Sequence, residues 1–277
     1  DITNAAVTLK NDSVVYDGTV KSPELESVVL DGVTLISGQD YDYVYSWAQG
    51  TVVGQYGLTV VGYNNYEGEV TVYMSITPRT VTAPTITVSG APFVYTGSAI
   101  TPTVTVTDDL GNTIDSKEYT VSYKDNTNAG TATITITDKD GGNYIVSGST
   151  TFTIEKAASA IAAAPAAKTG LSYNGKEQEL ITAGTATGGT VKYRLGTTGE
   201  FSAAIPKAAN AGEYTVYYYV EGDANHNSQK EVQSLTVSIA KAAVTVTAAN
   251  KSAFVGDAAP ELSKPVEGTD YTVSGLF

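Results

Sequence analysis

The chain contains no cysteine and only one histidine, one tryptophan and one methionine among its 277 residues. Without cysteine the fold has no disulfide to rely on, so each folded unit must be held by packing alone. The single histidine, His226, excludes a histidine pair on zinc and leaves little choice for a Ser-His-Asp triad. Phosphate-loop GxxxxGK[ST], HExxH and GxSxG motifs are also absent from the sequence. We therefore expect no catalytic residues, no metal ligands and no cofactor.

Charged residues make up only 16% of the chain, and acidic ones outnumber basic ones 29 to 16, which gives a net charge of −13. A chain of this sign repels phosphate backbones and anionic membrane surfaces. No stretch approaches the roughly 18 to 20 apolar residues that are needed to span a bilayer. The composition therefore argues against nucleic acid as a partner, and no membrane insertion is expected in this segment.

The polar surface is supplied by Thr, Ser, Asn and Gly rather than by charge, a composition typical of extracellular β proteins. Secreted bacterial proteins often avoid unpaired thiols, and the start at Asp1 has no charged and apolar leader. The expected location is the bacterial cell surface or the medium, with the signal and the anchor not present in this chain.

What the chain does contain is a repeat. A Tyr-x-Gly tripeptide begins at Tyr16, Tyr95 and Tyr173, at nearly equal spacing, and a degenerate version begins at Phe254 after a similar interval. Two landmarks follow at nearly constant distances: a glycine (Gly54, Gly130, Gly212) and an Asn-aromatic pair (Asn65-Tyr66, Asn143-Tyr144, Asn225-His226). A fixed period of about 80 residues indicates that the repeat is the unit of structure.

The repeat predicts the domain boundaries. Three complete domains are expected at residues 1–78, 79–156 and 157–241, and a truncated fourth at 242–277. We refer to these ranges as copies 1 to 4. Because the segments between the copies are short, neighbouring domains are expected to touch and to restrict each other.

The local pattern predicts strands almost throughout. In residues 131–137, Ala and Ile fall on one face and Thr on the other, as in a half-buried antiparallel strand. The same alternation occurs in residues 103–106, 119–123, 191–195, 215–220 and 244–246. The alanine-rich residues 157–167 contain Pro165 and no polar face, which favours a linker entering a strand over a helix. The predicted fold is all-β: tandem small immunoglobulin-like β-sandwiches, three complete plus a partial fourth.

Copy 2 carries the pattern of a known family. It runs from Tyr95-Thr96-Gly97 through KEYTVSY at 117–123, NAGTA at 128–132 and Gly142-Asn143-Tyr144 to a closing TFTI at 151–154. This order resembles the bacterial immunoglobulin-like repeats of the YDG and MBG type; copy 1 keeps the same order, and copy 4 looks like the opening of an MBG domain. The resemblance implies surface or secreted proteins in which such domains form stalks or adhesive arrays, and it carries no catalytic residues.

The best candidates for a binding surface are aromatic. One predicted strand has rings at every second position, which is a flat row suited to sugars or extended chains: Tyr41, Tyr43, Tyr45 and Trp47. Because copy 2 has Tyr119, Val121 and Tyr123 at the corresponding positions, we expect a mostly buried row, with Trp47 and Tyr45 reaching the surface. In Tyr217-Tyr218-Tyr219, alternate rings must face opposite sides. The candidate ligand contacts are therefore Trp47, Tyr45 and Tyr218.

Other polar residues are expected to be structural. Asp108-Asp109 and residues 138–141 are acidic clusters between strands, where turns are favoured over a calcium loop. His226 takes the position of Tyr66 and Tyr144 and is interpreted as a structural substitute. Lys192 and Arg194 are expected to point to solvent, since they alternate with the inward-facing Val191, Tyr193 and Leu195. That orientation argues against a covalent Lys-Asn crosslink, which needs a buried lysine.

These observations predict a non-enzymatic array of domains that serves as a stalk or spacer and as an adhesion module. The alternative is a carbohydrate- or protein-binding module that uses exposed Tyr and Trp residues. The sequence does not name the partner; a glycan or a surface protein is the class expected.

Overall fold

The computed structural model describes residues 1–45, 50–229, 231–256, 258 and 264–277. These residues form an all-β protein, as predicted; their one helical segment is the short 3-10 turn Ile2–Asn4. The chain divides into two compact units, the first made of residues 1–93 and 97–154 and the second of residues 94–96 and 155–277. Copy 1 and most of copy 2 thus lie in the first unit.

Copy 1 forms two sheets. Its strands are β1 (Ala6–Leu9), β2 (Ser13–Val15), β3 (Leu25–Leu30), β4 (Val33–Thr34), β5 (Tyr41–Tyr45), β6 (Gly54–Gly62) and β7 (Glu69–Thr77). One sheet has the order β1-β3-β4 and the other β2-β7-β6-β5, and the pairs are antiparallel except β2 with β7. Side chains of both sheets share one core, which includes Ile2, Val28, Leu35, Leu58 and Val60.

Copy 2 repeats this arrangement. Its strands are β8 (Arg79–Val81), β9 (Thr85–Ser89), β10 (Phe93–Val94), β11 (Thr103–Thr107), β12 (Tyr119–Lys124), β13 (Gly130–Asp138) and β14 (Tyr144–Glu155). The larger sheet has the order β10-β14-β13-β12, with β8 parallel to the start of β14, and β11 pairs with β9. In β13, Ala132, Ile134 and Ile136 are fully buried while Thr135 and Thr137 are exposed, which confirms the alternation predicted for residues 131–137.

Copy 3 is built mainly on the sheet β21-β23-β25, flanked by four short strand pairs. Its strands are β15 (Ala157–Ala158), β16 (Ala160–Ala163), β17 (Ala166–Ala167), β18 (Gln178–Glu179), β19 (Ile181–Thr182), β20 (Thr185–Thr187), β21 (Gly189–Leu195), β22 (Lys207–Ala208), β23 (Gly212–Gly222), β24 (His226–Asn227) and β25 (Gln233–Ile239). The alanine-rich residues 157–167 are extended rather than helical, and strand pairing begins at Ala157, opposite His226.

In the described part of copy 4, strands β26 (Thr245–Ala248) and β27 (Tyr271–Ser274) form an antiparallel pair. Large apolar side chains around this pair are exposed, among them Val244, Val246, Phe254, Val255 and Leu276. The other predicted strands are confirmed as well, since residues 103–106, 119–123, 191–195 and 215–220 lie in β11, β12, β21 and β23, and residues 244–246 overlap β26.

Copies 1 to 3 share one register. Each landmark glycine is the first residue of a long strand and pairs with an isoleucine near the end of the next long strand: Gly54 with Ile76, Gly130 with Ile154 and Gly212 with Ile239. Counting from the glycine therefore identifies equivalent positions in β6, β13 and β23. Residues four and six positions after the glycine are buried in all three strands. The residue five positions after it faces the other side of the sheet and is exposed at Thr135, half-buried at Tyr217 and buried at Thr59.

Candidate functional site

Each Tyr-x-Gly turn is tied to the end of its own copy. The backbone N–H of the tyrosine donates to a carbonyl oxygen there, over 2.8–2.9 Å: Tyr16 to Thr77, Tyr95 to Glu155 and Tyr173 to Ala240. The glycines have φ values of 77°, 83° and 74° at Gly18, Gly97 and Gly175, a region that glycine adopts without steric cost. The tripeptide is therefore a structural turn.

The tyrosine rings of these turns lie edge-on to a second ring far away in the sequence. In the first unit, Tyr16 of copy 1 and Tyr144 of copy 2 have centroids 5.3 Å apart and planes at 76°. In the second unit, Tyr95 lies 5.2 Å from His226, and Tyr173 lies 6.2 Å from Phe277. Burial raises the pKa of the Tyr144 hydroxyl, and the nearby Tyr16 raises it further. Edge-to-face pairs contribute about 0.5–1.5 kcal/mol beyond their buried area.

Asn143 provides a polar contact next to the Tyr16–Tyr144 pair. Its side-chain oxygen accepts a hydrogen bond of 2.8 Å from the backbone N–H of Val53 in copy 1. Within copy 2, its backbone N–H and side-chain amide donate to the two carboxylate oxygens of Glu118, over 2.6 and 2.8 Å. The landmark Asn-Tyr pair of copy 2 thus contacts copy 1 through both of its residues, Asn143 by a hydrogen bond and Tyr144 by its ring.

The acidic cluster at Asp108 is a buried ion pair. Asp108 is 3% exposed, and Arg79 donates to it over 2.6 Å and to Asp109 over 2.5 Å. Burial of the Asp108 carboxylate favours its neutral form, but hydrogen bonds from the backbone N–H of Asn112 and from Arg79 outweigh that effect. They lower the pKa of Asp108 to about 2. Asp108 therefore closes its own loop, in keeping with the turn interpretation.

His226 also has structural partners. Its Nδ1 lies 2.8 Å from Asp223 Oδ1, and this hydrogen bond is the main cause of a lowered pKa at Asp223. A side chain at Gly188 would stand 2.4 Å from the His226 ring, so the ring fills the space that only glycine leaves open. These contacts agree with the interpretation of His226 as a substitute for Tyr66 and Tyr144.

The predicted aromatic row of copy 1 is only partly buried. Tyr41 is 6% exposed, whereas Tyr43 and Tyr45 are 38% and 41% exposed and lie edge-on to each other at 6.1 Å. The exposure of Tyr45 agrees with the prediction, but the expected burial of Tyr43 is wrong. Strand β5 is the last strand of its sheet, and so is the equivalent β21, where the loop residue Ser202 pairs with Tyr193 and Tyr193 is buried. Burial at these edges therefore depends on what the loops bring over the strand. Trp47 lies outside the described residues.

The expectation that Tyr218 contacts a ligand needs correction. Tyr218 is 7% exposed and packs in the core of copy 3 with Val191, Tyr193, Val216 and Val237. It stands six residues after Gly212, as Ile136 does after Gly130 and Val60 after Gly54, and all three are buried. The neighbouring Tyr217 and Tyr219 face the other side of the sheet and are half-buried.

Those two tyrosines belong to a cluster that the sequence did not suggest. We call it the Arg194 face: Lys192 and Arg194 on β21, Tyr217 and Tyr219 on β23, and Phe201 from the loop after β21. The Arg194 guanidinium lies 4.5 Å from the Phe201 centroid and 5.4 Å from that of Tyr217, and Phe201 is edge-on to Tyr219 at 4.9 Å. Ser202 holds Phe201 in place, since its backbone exchanges two hydrogen bonds with Tyr193 at the free edge of β21.

The charged residues of this face differ in their partners. Lys192 pairs with Glu221 over 3.0 Å, whereas Arg194 forms no ion pair in the described part of the chain. The Nε atom of Arg194 is buried without a hydrogen-bond partner, which costs about 1–3 kcal/mol, and the cation–π contacts recover part of that cost. Lys192 and Arg194 lie on the predicted face of β21, but aromatic rings cover Arg194 there. Leu195, which was expected to be buried on the opposite face, is exposed.

The fold does not require this cluster. Arg194 and Tyr217 pair across β21 and β23, and the equivalent pairs are Ser122 with Thr135 in copy 2 and Val44 with Thr59 in copy 1. On the inner face, by contrast, the positions four and six residues after the landmark glycine hold a buried aliphatic or tyrosine side chain in all three copies. The outer face is therefore where copy 3 has acquired its own chemistry.

Among the residues that the structure describes, no three His, Cys, Asp or Glu side chains are grouped so as to hold a metal ion. No helix in the same residues has the length and apolar character to cross a membrane. No family model matches the chain, and no curated protein matches it.

Proposed function

We propose that this chain is a non-enzymatic array of tandem immunoglobulin-like β-sandwiches from a bacterial surface or secreted protein. In this proposal copies 1 to 3 are complete sandwiches, copy 4 is partial, and the array acts as a stalk and adhesion module. The two-sheet arrangement and common register of copies 1 and 2 support the sandwich assignment. The resemblance to YDG and MBG repeats supports the location.

The observation that carries the spacer role is the joint between copies 1 and 2. The Tyr16–Tyr144 ring pair and the hydrogen bond from Val53 to Asn143 link the two copies inside one compact unit. An aromatic pair and a hydrogen bond are together worth about 1–3 kcal/mol. Contacts of this kind restrict the rotation of one copy relative to the other. A spacer needs this restriction in order to hold the domain that it carries at a fixed distance.

The structural partners of His226 and Asp108 support a non-enzymatic role. The one histidine and the buried Asp108 are both bound to structural partners, His226 to Asp223 and Asp108 to Arg79. Both groups are engaged in the packing of the protein, Asp108 in closing its own loop and the His226 ring in filling the space beside Gly188.

Small-angle X-ray scattering on the full chain tests the spacer proposal. Three sandwiches of ~35–40 Å in line would reach on the order of 100 Å, with a radius of gyration of about 30 Å. A single compact domain with the same number of residues would have a radius of gyration of about 19 Å. A value near the second figure would contradict an extended spacer.

A second candidate function is a carbohydrate- or protein-binding module on copy 1. The exposed, mutually packed rings of Tyr43 and Tyr45 favour it, because they form an aromatic surface on an edge strand. Trp47 is the only tryptophan of the chain and follows shortly after Tyr45. A shift of its fluorescence on adding glycans would support this function, and an unchanged spectrum over a broad panel of neutral and acidic glycans would contradict it.

A further inference from the structure

We propose that the Arg194 face binds a glycan that ends in a single carboxylate-bearing sugar. The site lies wholly on copy 3, so the inference does not depend on the spacer role of the array. Four observations on the described residues carry it: an arginine without an ion pair among them, aromatic rings that hold it, tyrosine hydroxyls without partners there, and the confinement of all of these to one copy.

The arginine is the anion-binding group. The chain has two arginines, and Arg79 is fully used by Asp108 and Asp109. Arg194 has no carboxylate within ion-pair distance among the described residues, although the chain carries a net charge of −13. Phe201 and Tyr217 lie against the guanidinium group, and stacking leaves its terminal N–H groups free to bind a carboxylate in a bidentate manner.

The rings and hydroxyls fit the sugar. Tyr217 and Tyr219 are half-buried on the solvent side of β23, so parts of their rings are open to the apolar C–H face of a sugar. Neither hydroxyl has a protein hydrogen-bond partner in the described part of the chain, in contrast to Tyr193, Tyr214 and Tyr123. Both hydroxyls can therefore exchange hydrogen bonds with sugar hydroxyls on the face that carries the arginine.

The restriction to one carboxylate follows from charge. Arg194 is the cation of this face that the described residues leave unpaired, because Lys192 is held by Glu221. A polyanionic chain would be repelled by the remaining negative charge of the protein, whereas a neutral glycan with one acidic terminal sugar meets little repulsion. The equivalent positions in copies 1 and 2 offer Val44 and Ser122 in place of Arg194, so only copy 3 is expected to bind.

The test is an NMR titration of the full-length, ¹⁵N-labelled chain with 3′-sialyllactose and with lactose, which lacks the acidic sugar. We expect amide shifts confined to β21, β23 and residues 200–202, and at least tenfold weaker binding of lactose. Arg194→Gln is expected to weaken sialyllactose binding at least tenfold, and Arg194→Lys nearly as much, because lysine lacks the planar fork. Lys207→Gln removes an exposed cation of copy 3 outside this face; it serves as the matched control and is expected to change the binding less than threefold.

Several outcomes would overturn the proposal. No shifts at 10 mM sialyllactose would do so, as would equal binding of lactose, shifts centred on copy 1, or full binding by Arg194→Gln. A tetra-alanine peptide with a free carboxylate serves as the other ligand class, and tighter binding of this peptide than of sialyllactose would also count against a glycan. Should Arg194→Gln lose its dispersed spectrum, Tyr217→Phe replaces it, with an expected loss of about threefold from one missing hydrogen bond.

Discussion

The ring of Tyr16 lies edge-on against the ring of Tyr144, although the two residues belong to different copies of the repeat. Tyr16 opens the Tyr-x-Gly turn of copy 1, and Tyr144 closes the Asn-Tyr landmark of copy 2. Two signatures of the repeat therefore meet where one copy contacts the next. The signature residues of this sequence serve both the fold of a copy and its attachment to its neighbour.

A double-mutant cycle measures this contact. Tyr16→Leu and Tyr144→Leu are each expected to lower the free energy of unfolding, and the pair is expected to show a coupling of about 0.5–1.5 kcal/mol. Urea unfolding followed by the fluorescence of Trp47 reports on copy 1. Tyr16→Phe keeps the ring and serves as the control, and its stability is expected to stay close to that of the parent chain. A coupling of zero would show that the two rings do not hold the copies together.

Neighbouring tyrosines of β23 should respond differently to truncation. Tyr218→Ala removes a ring from the core of copy 3 and is expected to cost about 3–5 kcal/mol. Tyr217→Ala removes a half-buried ring from the outer face and is expected to cost about 1 kcal/mol. Differential scanning calorimetry checks both. Equal losses would contradict the assignment of Tyr218 to the core.

Stability at low pH should depend on Asp108. The pKa of Asp108 is about 2 in the folded state, below its value in the unfolded state. The ionised carboxylate therefore contributes fully to the free energy of unfolding above pH ~4, and this contribution is lost as the pH falls towards 2. Urea unfolding of the parent chain and of Asp108→Asn should differ most near pH 7 and converge near pH 2. Asp140→Asn, an exposed loop acid in the same copy, should show no such convergence. If the free energies of unfolding of the parent chain and of Asp108→Asn differ by the same amount at pH 7 and at pH 2, the ion pair of Asp108 is not the source of that difference.

Alanine substitutions at two glycines distinguish the cost of backbone strain from the cost of a steric clash. Gly188 and Gly111 have φ of 74° and 86°, but an added Cβ meets the His226 ring only at Gly188. Gly111→Ala should cost about 1 kcal/mol from backbone strain alone. Gly188→Ala should cost about 2 kcal/mol more, as measured by thermal unfolding.

The His226 ring can be removed to test that difference. Adding His226→Ala to Gly188→Ala should recover part of the extra cost, because the clash then disappears. If the double variant is less stable by the full sum of the two single losses, the packing explanation fails.

The sequence predicted the strands well because each copy repeats the same alternation. In β13 the apolar and Thr positions alternate along most of the strand, and the buried face follows directly from them. The faces of Tyr217-Tyr218-Tyr219 could not be read locally, since three tyrosines in a row contain no alternation. The register from Gly212 carries that information, because equivalent counting from Gly130 reaches the buried Ile136.

The candidate sites were harder to predict. The alternation in β5 predicts a buried Tyr43, but no periodicity reveals which loop residues cover the edge of a sheet, as Ser202 does beside Tyr193. The Arg194 face depends on Phe201, which a loop brings to the edge of β21, and the Tyr16–Tyr144 contact joins residues of different copies. Both are consequences of chain topology rather than of local pattern.

Single-molecule stretching of the full chain distinguishes a tandem array of separate sandwiches from a single cooperative body. A copy of about 80 residues is roughly 280 Å long when fully extended, at about 3.5 Å per residue, so its unfolding lengthens a molecule of folded sandwiches by about 240 Å. A tandem array predicts three successive unfolding events of this size. One event releasing roughly three times that length would contradict it, because the three copies would then unfold as a single cooperative body.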